Sequence, residues 1–449
     1  MYKFSEPNSA QLEMFDKSLP FGDKLNRKNR WIRLTCLIDW QRFESIYAKT
    51  FSETGRPGIP VRYVLGSLIL KDKLEVSDEE LLLQLSENPY LQYFIGLERF
   101  SHEIPFDTST LTNVRKRLGD DEFRKFEQTI IDELVAKKIL KPQNLQIDAT
   151  VFESDITYPT DCGLLNKAGE YCVKQIKKLG KFVAQKVRTY CRVARREYLN
   201  FSKKKRKTKK QIRTMQKKLL QYLRRNIKQA SELVDKAKEL GETISSDIET
   251  TLATVKKICA QQKEMYTQTK KSIENRIVSL HKSYVRPLVR GKNGKDVEFG
   301  AKINLSLVGK FLFPDHISFE NFNEGIRLQE SVEAFRERFG KYSRYVLADA
   351  IYGTRDNRKY LQELGIRHTF KPLGRPKKDA ASDNKTRWRR QKQKQRNRIE
   401  GAIGNSKVHY DLEKVRARTD KTERAWIQMA LLSRSIMLAG QELQKNKEK

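Results

Sequence analysis

One apolar and β-branched run reads Leu145-Gln146-Ile147-Asp148-Ala149-Thr150-Val151-Phe152, with a single carboxylate inside it. This composition predicts a β-strand. A second run, Tyr345-Val346-Leu347-Ala348-Asp349, leads into a carboxylate in the same way. A sheet that brings the two strands together would present Asp148 and Asp349 at one edge. The sequence therefore predicts an α/β core with an acidic site.

A third carboxylate, Glu400, stands in the helical stretch 396–405. A helix packed across the sheet edge would add it to Asp148 and Asp349. Carboxylate-only sites suit hard cations such as Mg²⁺ and Mn²⁺. Two such ions can activate a water or a 3′-hydroxyl and stabilise the leaving oxygen of a phosphodiester. The three acids thus predict a site for two divalent ions.

The charge of the chain is large and unevenly distributed. Its 449 residues include 91 Lys and Arg against 56 Asp and Glu, a net charge of +35. Residues 171–230 hold 22 basic residues and one acid, and residues 371–398 hold 12 basic residues and two acids. Two basic blocks of this kind indicate contact with a polyanion, most often nucleic acid.

Each basic block contains candidate DNA contacts with a plainer alternative. In the first block these are Lys203, Lys204, Lys205, Arg206 and Lys207, which could equally form a solvated turn. The second block is predicted as a linker over 371–395. There Arg375 lies in an AT-hook-like Gly-Arg-Pro that could be only a turn, and Trp388 is a candidate for base stacking or for simple packing.

Residues 1–140 are predicted to form short helices. Helix starts are indicated at Ser77-Asp78-Glu79-Glu80, at Asn88-Pro89 and at Thr108, the last leading to Arg115 and Arg117. Short helices that end in a basic helix are typical of a helix-turn-helix module, with a plain helical bundle as the alternative.

Residues 163–283 are predicted to form a helical hairpin. Apolar positions recur at alternating spacings of three and four over 212–237 and again over 248–277, with Gly241 between them. That rhythm predicts an antiparallel coiled coil. Its basic face could follow DNA, or the hairpin could be only a strut or dimer contact.

Other chemistries find less support in the sequence. A G-x-x-x-x-G-K-[ST] loop is absent, and the cysteines and histidines lack zinc-ligand spacing. Five irregularly spaced cysteines fit a reducing cytosol. No apolar run approaches the ~18 residues of a membrane span. We therefore expect a cytoplasmic protein associated with the nucleoid and not with a membrane.

Several stretches resemble the DDE transposases of bacterial insertion sequences. Arg396, Glu400 and Lys407 reproduce the Arg-x3-Glu-x6-Lys spacing of the group's signature, and the segments around Asp148 and Asp349 are similar to its two aspartate motifs. The signature's Tyr, three residues before the Arg, is Gln393 here. This is a departure at a residue that helps to hold a transposon-end phosphate in the family.

The resemblance implies an RNase H-like catalytic core, a mixed five-stranded sheet with helices. The helical hairpin would interrupt this core, and an all-α domain would precede it. The expected domains are a DNA-binding domain over 1–140, a catalytic domain over 141–162 and 284–443, the insertion over 163–283, and a tail over 444–449.

The resemblance also implies a transposase that binds terminal inverted repeats and catalyses Mg²⁺-dependent DNA cleavage and strand transfer. Asp148, Asp349 and Glu400 would bind two Mg²⁺ or Mn²⁺ ions, while Arg396 and Lys407 would hold end phosphates. The implied partners are double-stranded DNA of element ends and target, and a second copy of the chain in the DNA complex. Two alternatives remain: a catalytically inactive, transposase-derived DNA-binding protein, and a metal-dependent structure-selective nuclease.

Overall fold

Two units make up the structure, a computed structural model that describes residues 25–55, 57–292, 295–374 and 384–447. The first unit combines Met1–Ser154 with Ala301–Lys449. The second is Asp155–Gly300. The N-terminal helices therefore belong to the same unit as the sheet.

Short helices fill the described residues before the first strand. Their starts follow from the capping residues: the Ser77 side chain accepts the Glu80 N–H, and the Asn88 side chain accepts the N–H groups that follow Pro89. These two starts confirm the sequence prediction. The helices are α1 (Arg30–Thr35), α2 (Trp40–Ala48), α3 (Val61–Leu74), α4 (Asp78–Glu87), α5 (Pro89–Ile95), α6 (Thr108–Arg117) and α7 (Asp120–Ala136).

A mixed sheet forms the centre of the first unit. The strands of the chain are β1 (Asn144–Ser154), β2 (Pro287–Lys292), β3 (Lys295–Val308), β4 (Phe311–Ser318), β5 (Tyr345–Leu347), β6 (Arg367–His368) and β7 (Lys414–Val415). The path through the sheet is β4-β3-β1-β5-β6, with β7 paired to the far end of β1. β2 pairs with the start of β3, and this pairing lies within the second unit. β1 and β5 are parallel, whereas β3 and β4 are antiparallel. The α/β prediction is confirmed, and two strands join the five that were expected.

Helices of the C-terminal half pack on this sheet and on the N-terminal helices. After the 3₁₀ turn Glu324–Arg327 come α12 (Leu328–Phe339), the 3₁₀ turn Ala350–Tyr352, α13 (Arg355–Glu363), α14 (Asn384–His409) and α15 (Asp420–Lys447). The apolar stripe of α15 is buried against α3, α6 and α7, as well as β4. A buried ion pair between Lys71 and Asp411, 2.8 Å apart, connects α3 to the segment that follows α14.

The predicted linker over 371–395 is shorter than expected, because α14 already begins at Asn384. Lys, Arg and Gln are good helix formers, so a lack of apolar residues does not by itself prevent a helix. Trp388 also anchors this end of α14, since its ring centroid lies 5.4 Å from that of Tyr345 on β5.

The second unit corrects the prediction of a two-helix hairpin, since its described residues form four helices. They are α8 (Asp161–Phe182), α9 (Cys191–Ser202), α10 (Lys209–Glu239) and α11 (Ser246–Gln268). The chain leaves the helical conformation at Ala184 and Tyr190, which both have positive φ, and this separates α8 from α9.

The antiparallel pair that the apolar rhythm predicted is present as α10 and α11. Near the turn Lys238 pairs with Glu249, and at the far end the Arg213 guanidinium lies 4.4 Å from the Tyr266 ring centroid. No helix among the described residues is long and apolar enough to cross a membrane.

Candidate active site

The register of β1 and β5 positions the two aspartates. Gln146 pairs with Leu347, so Asp148 and Asp349 occupy the next equivalent positions, two residues further along the parallel strands. β5 ends before Asp349, whose Oδ1 accepts the Ala350 N–H at 2.6 Å and caps the following 3₁₀ turn. β1 continues beyond Asp148 to Ser154, so the register places Asp148 within β1, next to the point where β5 ends.

Helix α14 brings Glu400 and Arg396 to the same place, since it packs on both β1 and β5. Arg396 Nη2 donates to Glu400 Oε1 at 2.7 Å, and its Nη1 lies 4.0 Å from Asp148 Oδ2. Glu400 is about half exposed (54%), whereas Asp148 (21%) and Arg396 (14%) are mostly covered. One guanidinium therefore connects the first and third predicted carboxylates.

The pKa of Asp148 is raised above its ordinary value, chiefly by burial. The Ala149 N–H and the Arg396 charge oppose this rise, while the charges of Glu324 and Glu400 add to it. Asp148 thus lies within electrostatic range of two other carboxylates. Mutual repulsion of this kind is relieved by a cation.

Glu324 was not predicted as part of the site. Its 3₁₀ turn packs on the turn that follows Asp349, and the buried Asn357 amide joins the two by donating to the carbonyls of Gly325 (2.6 Å) and Tyr352 (2.8 Å). Glu324 is paired with Lys302 at 3.1 Å. Nothing in the local sequence distinguishes Glu324 from the other acids, because only the packing of two distant turns brings it here.

The distances between the acidic side chains at this site determine whether they can hold a metal ion. Within the described ranges, no group of three His, Cys, Asp or Glu side chains is close enough to hold a metal ion. The Arg396 guanidinium contacts both Asp148 and Glu400. The donor chemistry still fits a hard divalent cation, since the converging ligands are carboxylate oxygens.

Comparison with known proteins adds to this geometry. Residues 19–117 match a transposase domain (DUF772), and residues 346–437 match a transposase DDE domain that includes Asp349 and Glu400. The chain belongs to the DDE transposases of insertion sequences. A Rhizobium meliloti protein described as uncharacterized protein ORF8 in nfe locus is 33% identical over 195 residues, 43% of this chain and 92% of that protein. No solved structure matches the transposase.

Two further predicted residues near the acidic edge are held by protein contacts. Lys407 Nζ donates to the Val151 carbonyl of β1 at 2.8 Å. Trp388 is half-buried between Tyr345 and Arg367, whose guanidinium lies 4.2 Å from the Trp388 ring centroid. The aromatic face of Trp388 therefore stacks within the transposase itself.

The basic residues of α6 differ from each other. Arg115 is 7% exposed and forms a bidentate ion pair with Asp78, both bonds 2.7 Å long. Its guanidinium is engaged inside the helical bundle and is not presented to DNA, which argues against the predicted DNA contact. Arg117 is exposed, donates to the Thr50 carbonyl at 2.9 Å and stacks on Phe51.

The remaining predicted contacts lie in the two basic blocks. The Lys203–Lys207 cluster is exposed along its whole length and follows α9. Within it Lys207 donates to the Lys204 carbonyl at 2.7 Å. Arg375 lies outside the described residues.

Proposed function

We propose that the transposase binds the terminal inverted repeats of its element, cleaves the DNA there and joins the ends to target DNA. The observation that carries this proposal is the common register of β1 and β5, which sets Asp148 beside Asp349 while the Glu400 helix packs on both strands. The strand order β4-β3-β1-β5-β6 supports an RNase H-like catalytic core.

Asp148, Asp349 and Glu400 would hold two Mg²⁺ or Mn²⁺ ions. Ions in such a site polarise the scissile phosphate and lower the pKa of an attacking water or 3′-hydroxyl. The protein's part is to fix the ligands: strand β1 carries the first, the capped turn after β5 the second, and α14 the third.

Arg396 and Lys407 would act beside the carboxylates. The Arg396 guanidinium lies between Asp148 and Glu400, so its charge would attract a phosphate of the element end held at the carboxylates. Lys407, bonded to Val151, steadies the strand that carries Asp148.

The proposed reaction indicates which partners the transposase needs. Two element ends must be brought together before they are joined, so we propose a homodimer in the DNA complex. The DNA substrate would place this reaction at the nucleoid, in the bacterial cytoplasm.

The direct test uses duplexes that carry the inverted repeats flanking the gene, a target plasmid and the purified protein. We expect strand cleavage and joined products in Mg²⁺ or Mn²⁺ and neither in EDTA, because the carboxylates alone cannot activate the nucleophile. Gel electrophoresis of labelled ends measures both. Cleavage without joining would make the protein a nuclease, and binding without cleavage would make it an inactive DNA-binding protein.

The exposed Lys203–Lys207 cluster provides a second prediction. Changing all five cationic residues to Gln is expected to lower the slope of log affinity against log salt by about 0.9 for each phosphate that the cluster neutralises in the wild-type protein. Fluorescence anisotropy over a salt series measures this slope.

A charge-matched control removes five exposed lysines elsewhere in the helical unit. Equal slopes in the two variants would show that the cluster makes no local phosphate contact. The control substitutions are K256Q, K257Q, K263Q, K270Q and K271Q.

A further inference from the structure

Tyr352 anchors the turn that carries Asp349. β5 ends before Asp349, and the 3₁₀ turn Ala350–Tyr352 follows it directly. The Asp349 and Ala350 side chains are exposed, and Ile351 is 50% exposed. Tyr352 has no exposed surface and is the buried residue of this turn, all of which the structure describes. The position of Asp349 therefore depends on what holds Tyr352 in the core.

Two buried hydrogen bonds, which we call the Tyr352 relay, hold that side chain. The Tyr352 hydroxyl donates to Asn304 Oδ1 on β3 at 2.8 Å, and Asn304 Nδ2 donates to Ser331 Oγ on α12 at 2.7 Å. All three side chains are fully buried. A satisfied buried polar chain specifies one arrangement of a core, because a displaced hydroxyl would leave the Asn304 amide without its donor. The relay therefore fixes the depth of the Tyr352 ring.

A second contact holds the backbone of the same turn. Gly325 lies in the neighbouring 3₁₀ turn, and a Cβ added to it would lie 2.7 Å from the Ile351 carbonyl oxygen. A real Cβ does not approach an atom so closely, so glycine is needed for the two turns to meet. The buried Asn357 amide also joins them through its bonds to the Gly325 and Tyr352 carbonyls. The two turns are therefore held together as one block.

We propose that Tyr352 is a positioning residue of the transposase, acting on catalysis through Asp349. The relay and the Gly325 contact keep Asp349 beside Asp148, its neighbour across the parallel β1–β5 pair. Catalysis depends on such placement, since a displacement of about 1 Å can lower a rate about 10²-fold. The assignment rests on the proposed function, because it takes Asp349 as a ligand of the divalent ions.

Tyr352→Phe is the direct test, because it removes the hydroxyl and keeps the ring. Single-turnover cleavage of an element-end duplex in Mg²⁺ is expected to fall about 10²-fold at saturating protein. The protein concentration at half-saturation should stay within about twofold, since the change displaces an ion ligand and removes no phosphate contact. A saturated rate within about threefold of wild type would overturn the proposal.

Amide hydrogen exchange measures the turn without metal, DNA or activity. The Tyr352 N–H donates to the Asp349 carbonyl at 3.1 Å. The Gly353 N–H donates to the Ala350 carbonyl at 3.0 Å, so both amides report opening of the turn. In Tyr352→Phe we expect them to exchange about tenfold faster, the scale of one lost buried hydrogen bond, with the β1 amides unchanged. Unchanged exchange in the turn, or an equal rise in β1, would overturn the positioning role.

Two further variants separate the relay from a general loss of hydrogen bonds. Tyr360→Phe on α13 is the matched control and should cleave as wild type, because the Tyr360 hydroxyl donates to Glu333 outside the relay. Asn304→Leu removes the acceptor at similar volume and should lose as much cleavage as Tyr352→Phe. The double variant should lose no more than either, since the two residues act as a unit. Thermal melting checks folding, and additive losses would contradict the relay.

Gly325→Ala tests the same turn without removing a hydrogen bond. The added Cβ must displace the Ile351 carbonyl, so cleavage and turn exchange should change as in Tyr352→Phe. Gly169→Ala on α8 is the control, because a Cβ there would meet no atom within 4 Å. Wild-type cleavage by folded Gly325→Ala would contradict the dependence on this turn. Absence of cleavage by the wild-type protein would count against the proposed function, whereas the exchange measurements would still decide whether Tyr352 holds the turn.

Discussion

Changing Glu400 to Gln is expected to reduce strand cleavage by about 10³-fold, the upper range for loss of one preorganised charged group. The amide keeps the shape of the side chain and can still accept the Arg396 bond, but it lacks the negative charge that a divalent ion needs. Glu400 is about half exposed, so the fold tolerates the change. Affinity for element ends should therefore stay within about twofold, since phosphate contacts dominate it.

Single-turnover cleavage and anisotropy, both in Mg²⁺, separate these two effects. Glu413→Gln is the matched control, because Glu413 is an exposed acid and its substitution removes the same charge. The control should cleave at the wild-type rate. Cleavage by Glu400→Gln at a rate close to that of the control would remove Glu400 from the active site.

Changing Arg338 to Met is expected to lower the free energy of unfolding by about 3–5 kcal/mol, the usual cost of leaving a buried charge without its partner. Arg338 Nη1 lies 2.6 Å from Asp315, a side chain with no exposure, and its Nε lies 3.1 Å from Glu127. These contacts connect α12 to β4 and to α7. Methionine fills the volume but removes the guanidinium that pairs with both carboxylates, leaving Asp315 with the Ser306 hydroxyl as its donor.

The stability lost in Arg338→Met should depend on pH. Burial raises the pKa of Glu127 to about 7 even beside Arg338. A raised pKa means that the folded state holds this proton more tightly, so its contribution to stability is full below about pH 4.5 and is lost as pH rises towards 7. Without Arg338 the ionised carboxylates repel each other, and the deficit should be larger at pH 8 than at pH 5.

Urea unfolding at the two pH values measures both effects. Arg336→Met on the same helix is the control, because Arg336 is 57% exposed and its ion pair with Glu333 is worth about 0–1 kcal/mol. Equal losses for the two variants at pH 8 would show that the Arg338 network does not stabilise the fold.

Much of the local structure could be predicted from the sequence. Ser77 and Asn88 begin helices where their side chains cap the first turn, and the three-four rhythm of α10 and α11 predicts their pairing. These features depend on contacts between residues one or two helical turns apart, so the local sequence is enough to predict them. The break between α8 and α9 was missed because Ala184 and Tyr190 carry no turn signal.

Some residues of the candidate site could likewise be predicted from the sequence, and others could not. Asp148 and Asp349 follow strand patterns, and Arg396 reaches Glu400 across one helical turn, so the sequence alone predicted that these residues would lie close together. Only the tertiary structure placed Glu324 beside them, engaged Arg115 with Asp78 and stacked Trp388 on Tyr345. Those contacts depend on elements far apart in the chain, whose meeting is decided by packing the whole core.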